Sequence, residues 1–121
     1  MAGFSDLIVW KEAASLATNV LEAAQNIRGP AAASVADQLI RAANSIHANI
    51  AEGYGRGLTA DAVRFLRFAK ASADELESHL RVAALGKRIP QDVADKLIDQ
   101  VRRVGYLIYR FSQSVERRRK K

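Results

Sequence analysis

Arg41 and His47, six positions apart, are the pairing in this chain that most resembles a reactive site. An imidazole can move a proton while a guanidinium stabilises phosphate charge, the two halves of a nuclease centre. On a helix, however, six positions leave the two side chains about 120° short of two full turns, so they face apart. His79, the only other histidine, follows Glu75 by four residues, which reads as a surface pair. A bundle-type metal site needs several inward carboxylates and Glu-x-x-His pairs, and the chain has no such pair. With no cysteine, thiolate metal sites, disulfides and cysteine nucleophiles are excluded. The run Gly53-Tyr54-Gly55-Arg56-Gly57 is glycine-rich, yet it follows a helical pattern with no preceding strand and no Walker lysine, unlike a nucleotide loop. No catalytic residue, metal, cofactor or small-molecule substrate is expected.

The segment Ser45 to Gly57 holds a different kind of chemistry. Leu39, Ala43, Ile46 and Ile50 repeat at helical spacing and predict one buried stripe. Between them stand Asn44, Ser45, His47 and Asn49, modest helix formers that compete for backbone hydrogen bonds. Glu52 is expected in the last turn, where the helix dipole disfavours an anion, with Gly53, Gly55 and Gly57 breaking the helix behind it. A carboxylate at that place, beside Arg56, points to a fixed ion pair, with Arg41 and Arg64 as other possible partners. The competing reading is a helix end with a solvated glutamate. On the ion-pair reading, Glu52→Ala weakens stability or assembly more than an ordinary surface change.

Glycine and proline divide the chain into four helical pieces, expected at about residues 5–27, 31–52, 59–85 and 90–116. Ser5 is a possible cap for the first, Gly29 and Pro30 separate it from the second, and Thr59 caps the third. Gly86 ends the third, while Pro90 and Asp92 open the fourth. Ala94, Leu97, Val101, Val104, Ile108, Phe111 and Val115 form the cleanest apolar repeat. No strand-like alternation is visible. The pattern predicts an all-α antiparallel up-down-up-down four-helix bundle in one domain, 1–116, with a basic tail at 117–121.

Half the residues are apolar and a quarter charged, as in an ordinary globular protein. No secretory signal and no run of about 18 apolar residues is visible, so a soluble cytoplasmic protein with no membrane contact is expected. The net charge is +6, and five of those charges are Arg117, Arg118, Arg119, Lys120 and Lys121. Without them the body stands at about +1. Such a tail suits phosphate backbones, or serves only solubility. Arg102, Arg103 and Arg110 could extend it into one basic surface. On helix 3 the cations Arg64, Arg67 and Lys70 precede the acids Asp74, Glu75 and Glu77, a segregation that suits a solvated face or a neighbouring subunit.

Apolar residues exceed what one core needs. Leu7, Ile8, Val9 and Trp10 are consecutive and cannot all point inward, and Phe65 and Phe68 lie beside the Leu66 and Ala69 seam. Contiguous apolar surface of this kind predicts a subunit interface rather than a monomer.

The chain resembles the four-helix-bundle proteins of the 23S rRNA intervening-sequence family. The resemblance rests on Phe4, Leu7, Trp10 and Ala14, on Gln38, Leu39, Arg41, Ala42, Ser45 and Ile46, and on the block Ala48-Asn49-Ile50-Ala51-Glu52-Gly53-Tyr54-Gly55-Arg56. It continues through Phe65, Leu66, Ala69, Glu75, Leu76 and Leu80, while the fourth helix and tail agree only in character. It implies a ring-shaped homopentamer without an established enzymatic activity. A relative, the accessory variability determinant of diversity-generating retroelements, shares the pentameric barrel and works with a reverse transcriptase and nucleic acid. Asn49, Glu52 and Arg56 fall on the family block, where the implied role is to fix the turn and its packing. Family members often carry proline where this chain has His47, so the second helix is expected to be less kinked. The Arg41 to His47 spacing also resembles the Arg-x4-6-His signature of the helical ribonucleases called HEPN domains, which prefer a polar residue where this chain has Ala42.

The expected function is a non-enzymatic, homo-oligomeric scaffold or accessory protein. Arg56 and Arg117 to Lys121 are the candidate nucleic-acid contacts. Trp10, Arg41, Asn49, Glu52, Gly53, Gly55, Phe65 and Phe68 are the candidate structural and oligomer contacts. RNA, DNA or a nucleic-acid-processing protein is the expected partner. The alternatives are a purely structural interaction module and a ribonuclease using Arg41 and His47.

Overall fold

The computed structural model describes residues 3–121 as a four-helix bundle. A single 3-10 turn, Phe4–Asp6, leads into α1 (Ile8–Ala24), followed by α2 (Ala32–Gly55), α3 (Ala60–Leu85) and α4 (Gln91–Arg119). Each helix packs on its neighbours in sequence, α4 closes against α1, and the N-terminal turn lies on α1 and α2. The core is wholly apolar among the described residues. Leu16, Leu39, Ile46, Ile50, Leu66, Leu76, Leu80 and Ile108 are its largest members, and no buried side-chain polar atom of the described residues lacks a partner. No described helix is long and apolar enough to cross a membrane.

Several helix ends differ from those the sequence predicts, each for a local reason. Ser5 does not cap α1. The Gly3 N–H donates to the Asp6 carboxylate at 3.3 Å, closing Ser5 into the 3-10 turn and leaving Leu7 at the start of the helix. At its other end α1 stops at Ala24, but Ile27 beyond it is still buried and anchors the connection to the core. α3 does stop at Leu85 with Gly86 as its cap, but Gly86 keeps a negative φ and Lys87 takes the left-handed turn at φ 57°. Arg88 then donates from Nη1 to the Arg28 carbonyl at 3.1 Å, joining the α3–α4 connection to the α1–α2 connection.

The C-terminal end of α2 is the main departure. Gly53 and Gly55 do not break the helix; they are part of it, and Arg56 is its cap. Gly57, at φ 69°, makes the left-handed turn. Thr59 then accepts the Ala62 N–H at 3.0 Å and starts α3. Likewise, Arg117, Arg118 and Arg119 form the last turn of α4, so only Lys120 and Lys121 lie outside the helix. Three cations there match the negative end of the helix dipole.

Candidate interaction surface

Glu52 and Arg56 do form an ion pair, at 3.3 Å, but it is the weaker half of a larger arrangement. Arg56 reaches across the turn to Asp61 at 2.7 Å, and Arg64 grips the same carboxylate at 2.7 and 2.9 Å. These hydrogen bonds from Arg64, its charge and the nearby Arg56 hold the Asp61 carboxyl below the usual range. Both guanidinium groups lie over Phe65, at 4.7 and 5.1 Å from the ring centre, and Arg64 also covers Phe68 at 5.5 Å. The two phenylalanine rings meet edge to face at 5.7 Å. The result is a charged and aromatic corner on the outside of the α2–α3 turn, with Phe68 45% exposed. Arg56 is engaged within this corner and presents no unpaired charge to a polyanion.

Gly53 lies beneath the corner. A Cβ there would stand 3.0 Å from Leu66 Cδ2 and 3.2 Å from the Ala62 carbonyl, so its absence lets α2 and α3 approach. Gly55, by contrast, has open space around it. One turn earlier, Asn49 donates to the Ser45 carbonyl at 2.8 Å and the Ser45 hydroxyl at 3.1 Å, while Ser45 and Ser72 share a 2.8 Å hydrogen bond. Asn49 therefore belongs to a half-buried polar seam between α2 and α3, not to the Glu52–Arg56 pair.

Arg41 and His47 do not assemble a site within the chain. His47 packs edge to face on Trp10 of α1 at 6.4 Å, and its ring pairs with Asn44 Oδ1 at 3.2 Å. Trp10 in turn meets Phe4 at 5.2 Å. Burial in this cluster lowers the His47 pKa. Arg41 is exposed and stands one turn before Ser45, on the side of α2 that meets α3. The six-residue spacing thus leaves His47 against α1 and Arg41 on the exposed surface. No group of three or more His, Asp or Glu side chains among the described residues is arranged to hold a metal ion.

The cationic end of α4 is broader than its last five residues. Tyr106 and Tyr109 project from it, 57% and 52% exposed. Arg110 donates to the Tyr106 hydroxyl at 2.9 Å, and Gln113 donates to the Tyr109 hydroxyl at 2.7 Å. Arg102 is tied to Glu77 and Arg103 to Glu12, while Arg119 and Lys120 share Glu116. Among the described residues, Arg117, Arg118 and Lys121 form no ion pair.

The family model described as 23S rRNA-intervening sequence protein matches residues 5–110 of this chain. The chain belongs to that family. No curated protein matches it. The family match spans α1 to α3 and most of α4, and stops short of the cationic final turns. The Ala48 to Arg56 block therefore builds the α2 end whose contacts are the polar seam, the Gly53 approach and the Arg56 bridge. Reading the sequence alone missed Asp61, Ser72, Tyr106 and Tyr109. Asp61 stands five positions from Arg56, but only the intervening turn brings the two together. The i, i+3 pair Tyr106 and Tyr109, beside Arg102, Arg103 and Arg110, was a legible signal.

Proposed function

We propose that this family member is a non-enzymatic scaffold or accessory protein that assembles as a homo-oligomer, a pentamer being the form the family resemblance implies. The observation that carries this reading is the apolar surface left outside a complete core. Ile8, Val82 and Leu85 are 67%, 63% and 82% exposed, and Phe4 and Phe68 join them on the outside. The core closes without any of them, so their burial requires another copy. The helices run up, down, up and down, since short connections favour antiparallel neighbours and the Arg88 to Arg28 contact brings two alternate connections to one end.

The assembly works in the cytoplasm and contacts RNA or DNA, or a protein that processes nucleic acid, through Arg117 to Lys121. Among the described residues, three of the five terminal cations make no internal ion pair, which leaves them for phosphates. A purely structural module is the second reading, favoured by the fact that Arg119 and Lys120 are already held by Glu116. Oligonucleotide binding at two salt concentrations, with and without residues 117–121, separates the two. Salt-sensitive binding whose log–log slope falls by about 2 on truncation supports phosphate contact, at about 0.7 per neutralised phosphate on a single strand. Binding indifferent to salt and truncation, or no binding, contradicts it.

A further inference from the structure

The charge of this protein is concentrated in one place. Residues 101–121 carry eight Lys and Arg against a single glutamate, whereas the rest of the chain carries eleven cations against twelve acids. Two exposed tyrosines sit on this cationic half-helix, and Tyr109 separates two depressions along the α3–α4 seam. The first, about 280 Å³, has Ala73, Val101 and Gly105 in its floor, with Lys70, Tyr106 and Tyr109 on its walls. The second, about 260 Å³, lies between Tyr109, Arg67, Gln113 and Ile108. The acids bordering these depressions are all answered. Asp74 pairs with Lys70, Glu77 with Arg81 and Arg102, and Glu116 with Arg119 and Lys120. Among the described residues Arg67 makes no ion pair, and Arg110 meets Tyr106 through its hydroxyl and its ring but no carboxylate, so net positive charge remains beside both rings.

We propose that this seam binds single-stranded RNA, with unpaired bases stacking against Tyr109 and Tyr106 and phosphates meeting Arg67, Arg110 and Arg117. The inference rests on the nucleic-acid contact proposed above and names its ligand and its reading surface. An apolar protein face would strand the cations around the rings, whereas a polyanion satisfies them. A duplex hides the base faces that an exposed ring can stack on. Gln113 donates its amide N–H to the Tyr109 hydroxyl, and its carbonyl oxygen is an acceptor of the kind that suits a ribose 2′-hydroxyl.

Fluorescence anisotropy with a labelled oligouridylate of about 15 nucleotides tests the proposal on the full chain. Tyr109→Ala weakens binding about tenfold and Tyr106→Ala/Tyr109→Ala about a hundredfold, as expected for losing one and two base stacks. The salt slope stays that of the parent protein, because no cation is removed. Tyr106→Phe/Tyr109→Phe keeps both rings and binds within about twofold of the parent. Unchanged melting temperatures establish that these surface changes leave the fold intact. The deoxy strand and the RNA duplex both bind more weakly. Parental affinity in the double alanine variant overturns the inference while leaving tail-dependent, salt-sensitive binding in place. Equal or tighter binding of the deoxy strand or the duplex overturns it too. If the intact protein binds no oligonucleotide at low salt, the nucleic-acid reading falls with it.

Discussion

Gly53 and Gly55 stand two positions apart in one helix and serve different ends. At Gly53 an added methyl meets a leucine side chain at 3.0 Å and a backbone carbonyl at 3.2 Å, and the carbonyl cannot rotate away. Gly53→Ala therefore lowers stability by about 1–3 kcal/mol through overpacking. Gly55→Ala meets nothing and removes backbone freedom from the unfolded chain, so it is neutral or stabilising by up to about 1 kcal/mol. Chemical denaturation of both variants checks the pair. In sequence the three glycines look alike, because a close approach by another helix leaves no local trace. Only Gly57 needs its positive φ. His47 is a second residue-scale case. Burial depresses its folded pKa below the ordinary 6.5, so protonation favours the unfolded chain. The neutral form's stability is intact above pH 6.5 and is lost as pH falls through that value toward the depressed folded pKa. Between pH 7.5 and 5.5 the melting temperature falls in the parent and falls less in His47→Gln.

At the scale of the element, the periodicity of Leu39 to Ile50 and of Ala94 to Val115 was enough to place helices and their buried stripes. Their ends were less legible. Helix termination depends on which residue takes the left-handed turn, and here Lys87 does so beside an available glycine. The ion pair at the α2 end was legible from Glu52 and Arg56, but its principal acceptor was not. Asp61 joins only because the Gly57 turn brings the start of α3 back to Arg56. That geometry changes the expected mutational order. Glu52 is the more exposed partner at the longer distance, while Asp61 receives Arg56 and a two-pronged Arg64 and also occupies the first turn of α3. Asp61→Asn therefore lowers the melting temperature more than Glu52→Gln, and the difference shrinks as pH falls below the ordinary aspartate range, vanishing only once it passes the depressed pKa of folded Asp61. Equal melting temperatures for the two variants would falsify this ranking.

Across the whole molecule, two surfaces have no use within one chain. One is the cationic end of α4, whose charge is legible in the sequence but the exposure of whose tyrosines is not, because an exposed tyrosine and a half-buried one look alike in a helical repeat. The other is the apolar surplus, legible in Leu7 to Trp10 as more hydrophobic side chains than one core accommodates. The structure distributes that run with Val9 buried, Leu7 and Trp10 half-buried, and Ile8 outside. The same holds for Val82 and Leu85 at the far end of α3. Scattered exposed apolar residues are common on monomers, so their meaning is decided by whether they are covered in solution. Light scattering on the purified protein over a range of concentrations measures this directly. The account predicts a stable multiple of the 13.3 kDa chain, five copies for a closed pentameric ring. A mass of one chain persisting at the highest concentration would contradict it.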